Sequence, residues 1–169
     1  MNWNKTYLNI AKEIAQHSKD PDRKVGCIVV KDGRIISAGY NGTPHGFDNN
    51  CKDANGKTKK EVIHAESNAI TKCAKSTESI VGATMYSTLS CCIECAKLII
   101  QCDIKEFYYD EPWKDYSGLA LLRKAGIKVY NFVEKGLTEA DRKALEDEFN
   151  KYGTSPHQNV IASLTTVKR

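Results

Sequence analysis

The sequence lacks any apolar run long enough to span a bilayer, and its start, MNWNKTYLNIAKEIAQ, lacks a basic stretch followed by an apolar one. Neither a membrane partner nor a secretory leader is therefore expected, and the chain reads as a cytoplasmic protein in a reducing compartment. There is no internal repeat and no low-complexity tract. Basic residues are only slightly in excess, 25 against 21 acidic ones, and they are scattered along the chain. A net charge of +4 spread in this way suits a small anionic substrate and gives no footprint for nucleic acid. An even, regularly spaced set of cysteines is missing too. The seven present are uneven in spacing, which in a reducing compartment points to metal binding, catalysis or burial, not to a disulfide framework. At 169 residues the chain can bury a core without cross-links.

Strand and helix signals alternate. Tyr7, Ile10, Ala11, Ile14 and Ala15 recur at helical spacing. The β-rich runs 25–30 and 34–40 flank Asp32-Gly33, a strong hairpin signal. A polar stretch, 41–60, has no periodicity and is long for a loop, which favours a functional or mobile element. Helices are expected over 65–74, 92–101 and 119–124, alternating with strands over 83–88, 106–109 and 127–130. This order predicts an α/β fold with a partly parallel sheet and helices on its faces. Residues 138–152 read as a surface helix with Thr138 as N-cap and Asp141 as a first-turn acid. The expected domain is 1–152, with 153–169 a frayed tail.

Three cysteines crowd into STLSCCIECAK, residues 87–97. Cys92 and Cys95 project from one side of a helix start, whose positive end favours their thiolates. By itself such a pair reads as a redox couple, half of a structural zinc site or buried packing. Upstream, His64-Ala-Glu66 opens another expected helix. Two thiolates and one imidazole make a three-ligand zinc site that keeps a fourth position for water. Glu66 can then carry a proton between that water and a leaving group. Residues two apart do not face each other on a regular helix, so the first turn must open for His64 and Glu66 to share a site. His-x-Glu at one helix start and Cys-x-x-Cys at the next, with a strand between, match the signature of zinc nucleobase deaminases.

With those residues in view, the chain resembles the deoxycytidylate (dCMP) deaminases of the cytidine deaminase superfamily over about residues 7–130. The segments that carry the resemblance are Ser18-Lys-Asp-Pro21, Val25-Gly26, Gly39-Tyr-Asn-Gly-Thr-Pro44, His64-Ala-Glu66, Asn68-Ala-Ile70, Gly82-Ala-Thr-Met-Tyr86, Thr88-Leu89 and Cys92-x-x-Cys95-Ala-Lys97. The resemblance implies a cytidine deaminase-like three-layer sandwich, a five-stranded mixed sheet between helices. It implies hydrolysis of dCMP to dUMP and ammonia, a supply of dUMP for thymidylate synthesis, with one catalytic zinc on His64, Cys92 and Cys95. Glu66 is then the catalytic acid–base. Asn41 matches a sugar contact, the backbone near Ala65 and Ser90 matches groups that orient the base, and Ser18, Lys19 and Tyr116 are expected at the phosphate. Family members are often hexamers, activated by dCTP and inhibited by dTTP, with Mg2+ only as companion of the triphosphate. The effector site is expected around Tyr40, Asn41, Gly42 and Thr43.

Two departures stand out. Cys91 occupies the place of the family's usual proline, and Asp20 that of a cysteine which in some phage members serves a second, structural zinc. Cys27, His45 and Cys51 are accordingly read as core or loop residues. The alternatives are a tRNA-type or free-nucleoside deaminase with the same zinc chemistry, for which a denser basic patch or a dispensable Lys19 would speak, and a non-catalytic zinc-stabilised binding module, which would not need Glu66.

Overall fold

In the computed structural model, which describes residues 2–132 and 138–152, the Asp32-Gly33 turn forms as read. Both residues take positive φ, 49° and 74°, as a two-residue hairpin turn with the right-handed twist requires. The turn joins β1, Gly26–Lys31, to β2, Arg34–Tyr40. With β3, Thr84–Leu89, β4, Glu106–Glu111, and β5, Lys128–Asn131, they form one sheet in the order β2-β1-β3-β4-β5. β1 pairs antiparallel with β2 and β3, while β3–β4 and β4–β5 are parallel. This is the expected five-stranded mixed sheet. The expected tail, 153–169, lies outside the described residues.

Strand periodicity divides the core in two. Cys27, Val29, Met85, Phe107, Tyr109 and Val129 face one side of the sheet, and Ile28, Val30, Tyr86 and Tyr108 face the other. The second face is covered by α1, Trp3–Ala15, through Tyr7, Leu8 and Ala11. The first carries α2, Ala65–Ala74, α3, Ile93–Gln101, and α4, Ser117–Lys124, with α5, Glu139–Tyr152, packed on α4. The layers are thus helix, sheet, helices. The N-terminus of α5 is closed by a reciprocal pair: the Asp141 N–H donates to Thr138 Oγ1, and the Thr138 N–H donates to the Asp141 carboxylate. Among the described residues no helix is long and apolar enough to cross a membrane.

Gly39 fixes how closely α2 lies on β2. A Cβ there would stand 2.3 Å from the Ala65 carbonyl oxygen and 2.5 Å from the Ala69 nitrogen, both backbone atoms of α2. Only glycine lets the helix start this near the sheet.

Candidate metal centre and active-site cavity

Two helix starts meet at one point. His64 is the N-cap of α2 and Cys92 the N-cap of α3, each with extended backbone, φ −71°, ψ 156° and φ −74°, ψ 171°. The difficulty posed by the His64–Glu66 spacing is thereby resolved. His64 stands outside the regular helix, so its ring swings towards the face that Glu66, inside the first turn, also meets. The Sγ atoms of Cys92 and Cys95 lie 3.4 and 3.5 Å from His64 Nδ1. Bonds of about 2.3 Å to sulfur and about 2.0 Å to nitrogen at a tetrahedral angle put S and N about 3.6 Å apart. The triad therefore fits a tetrahedral zinc ion with one position left over. Among the described residues it is the group of His, Cys, Asp and Glu that can close on a metal ion. Both helix dipoles direct their positive ends here, favouring thiolate. The Cys95 thiol donates to Cys92, which holds the Cys92 thiol far below its ordinary range and pushes that of Cys95 up.

Cys91 turns away from this point. It is 1% exposed, part of the core, and outside the triad. The peptide joining it to Cys92 is pressed against Gly118 in the first turn of α4. A Cβ at 118 would lie 2.2 Å from the Cys91 carbonyl oxygen and 2.7 Å from the Cys92 carbonyl carbon. α4 thus braces the backbone of a candidate ligand.

The triad opens on a cavity of about 440 Å³, whose walls include His64, Ala65, Glu66, Asn41, Ser90 and Cys92. Glu66 is 3% exposed, and burial pushes its carboxyl above the usual carboxylate range. Asn41 is stapled to the 18–25 loop: its Oδ1 accepts from the Val25 N–H at 2.8 Å and its Nδ2 donates to the Arg23 carbonyl at 2.9 Å. A carboxamide has two lone pairs and two N–H groups, so one of each is left for a ligand. Ser90 accepts from the Trp113 N–H at 2.7 Å through its Oγ, fixing the rim.

Other expected contacts lie elsewhere. Ser18 is fully buried, its hydroxyl donating to the Asn41 carbonyl at 2.8 Å, and Lys19 is exposed; neither lines the cavity. Tyr116 is not brought to the cavity either, since its hydroxyl donates to Asp141 of α5 at 2.7 Å in the core. Of the turn residues, Tyr40 faces the Lys72 ammonium at 5.2 Å and the His17 ring at 5.9 Å, Gly42 pairs with Ile63, and Thr43 donates to the Asp48 carbonyl.

Several wall residues were not singled out from the sequence. Arg23 lies over the Trp113 ring at 4.5 Å. Lys52 bridges Asp22 at 2.7 Å and Asp20 at 3.3 Å and donates to Thr58 at 2.9 Å. That clamp gives the 49–60 segment a purpose, holding it down as one side of the cavity. Arg23 stands in the same loop as the Ser18–Pro21 segment, a signal that was within reach; Lys52, in an aperiodic stretch, offered none.

A metal site closed by three protein ligands, open to a cavity and flanked by a buried carboxylate is the arrangement of a hydrolytic zinc enzyme. Residues 1–111 match the family of the cytidine and deoxycytidylate deaminase zinc-binding region. The deoxycytidylate deaminase of Enterobacteria phage T4 is 38% identical, covering 79% of this chain and 92% of its own. That of Homo sapiens is 36% identical, covering 80% and 82%. A dCMP deaminase from the cyanophage S-TIM5, solved with dCMP and dUMP, superposes with a TM-score of 0.76 at 39% identity, covering 78% of this chain and 99% of that one. The chain belongs to the zinc-binding cytidine and deoxycytidylate deaminase family.

Proposed function

We propose that the chain hydrolyses dCMP to dUMP and ammonia. The observation that carries this reading is a buried Glu66 on the wall of the cavity onto which the His64, Cys92 and Cys95 triad opens. Zinc held by those three residues would supply the Lewis acidity that makes water a nucleophile near neutral pH. Glu66 handles the protons. It takes one from the water whose oxygen bonds to C4 and passes it to N3, then takes the second and passes it to N4 as the C4–N4 bond breaks and ammonia leaves. A carboxyl raised by burial suits both duties, because its protonated form lies closer to neutral pH. Asn41 offers its spare lone pair and N–H to the sugar, and Ser90 and the backbone at Ala65 face the base. The free thiols and open metal site suit a reducing, cytoplasmic setting.

For the phosphate, geometry favours Arg23. Lys52 is already shared by two aspartates, whereas Arg23 lies over the Trp113 ring, reaches Glu111 at 4.0 Å and keeps its guanidinium at the rim. Arg23→Ala should raise KM for dCMP by about tenfold or more, the worth of one charge-assisted contact, and leave KM for deoxycytidine nearly unchanged. Lys19→Ala, measured alongside, tests the residue favoured by sequence; a larger dCMP-specific effect there would return the phosphate to Lys19. Equal turnover of both substrates by the unmodified protein would favour a free-nucleoside enzyme.

The reading extends to control. The turn at Tyr40, Asn41, Gly42 and Thr43 is continuous with the cavity through Asn41, so a nucleotide held there would bias the cavity by its differential affinity for two arrangements of the turn. A hexamer with sigmoidal dCMP kinetics, made hyperbolic by dCTP with Mg2+ and suppressed by dTTP, is the expected outcome of a saturation curve paired with a solution mass. A monomer indifferent to both triphosphates would remove this part.

A further inference from the structure

We propose that Ser87 is a positioning residue that sets the orientation of the Glu66 carboxylate, an inference that rests on the reading of Glu66 as the proton carrier. Strand alternation turns Ser87 of β3 towards α2, and its Oγ lies 3.2 Å from Glu66 Oε1, with Ser87 fully buried and Glu66 3% exposed. The direction of the bond follows from the ionised carboxylate, which can only accept, so the Ser87 hydroxyl donates. The Leu89 N–H donates to Ser87 Oγ at 3.4 Å, which occupies a lone pair and leaves the single O–H to point at the carboxylate. A relay thus runs from the backbone of Leu89, itself on the cavity wall, through Ser87 to Oε1.

Little else nearby can do this work. The Cα partners of Ser87 in the sheet are Cys27 and Tyr109; on this side of the sheet Cys27 and Cys91 are buried thiols and weak donors, and the Ser37 hydroxyl is already given to the Ala69 carbonyl. Among the described residues Ser87 is the side chain that donates to the Glu66 carboxylate and so fixes its plane. A group that must meet first a water and then two ring nitrogens in turn depends on that plane, because catalytic geometry has to be held to a fraction of an ångström.

Partners that orient the ligands of a metal site are worth about 10- to 100-fold, and the same order is expected for a partner that orients the proton carrier beside it. Ser87→Ala should lower kcat on dCMP by about that factor, with KM essentially unchanged, zinc content retained and Tm close to the parent. Ser87→Thr, which restores a hydroxyl, should recover most of the loss. A second measurement needs no substrate: the Glu66 carboxylate stretch in the infrared, recognised by its disappearance in Glu66→Gln, should shift in Ser87→Ala and return in Ser87→Thr. Should the unmodified protein leave dCMP untouched, the substrate reading fails while the infrared comparison still decides the role of Ser87. An unmoved carboxylate band, an unchanged kcat, or a loss of zinc in step with activity would overturn the proposal.

Discussion

Glu66→Gln is expected to keep its zinc and its fold and to turn over dCMP about 10²- to 10⁴-fold more slowly, the usual worth of a positioned acid–base group. The variant preserves the volume of the side chain and an oxygen to accept from Ser87, and it leaves all three candidate ligands in place. What it removes is the capacity to take a proton. The position is buried, so water cannot readily substitute as the carrier. Metal analysis of the purified variant must accompany the rate. Loss of zinc together with activity would make Glu66 a structural residue, and retained activity would remove it from the chemistry.

Cys92→Ala should abolish stoichiometric zinc binding and activity together, whereas Cys91→Ala should keep both. Neighbouring thiols of one sequence are here separated by their backbone. Cys92 is an N-cap whose extended φ and ψ turn its sulfur towards His64, and the preceding residue points into the core. A zinc site reduced to two protein ligands loses most of its affinity, since two thiolates and an imidazole supply all of the protein's bonds to the ion. Cys91→Ala leaves only a small void in the core. The measurement is zinc per chain by atomic spectroscopy after dialysis; a zinc-free Cys91→Ala protein that folds would exchange the two assignments.

What could be read from the sequence was local. The hairpin turn needs only Asp32 and Gly33, the cap of α5 only Thr138 and Asp141, and the two faces of the sheet only the alternation in Met85-Tyr86 and Phe107-Tyr108-Tyr109. The triad could be read as well, because each of its halves lies at a helix start with a short-range signature. Contacts between segments of unlike pattern could not. Lys52 meets Asp20 across more than thirty residues, and Arg23 meets Trp113 across ninety, with no periodicity to link them. Tyr116 shows the converse: an aromatic after β4 looks available for a ligand until α5, far along the chain, supplies Asp141 as its partner.

The most direct test is to supply dCMP to the zinc-loaded protein and follow ammonia and dUMP together, before and after a chelator strips the metal. Equal amounts of ammonia and dUMP, lost on stripping and restored when zinc is returned, are the predicted result. Unchanged dCMP in the presence of a full complement of zinc, or deamination that persists without metal, would contradict the account.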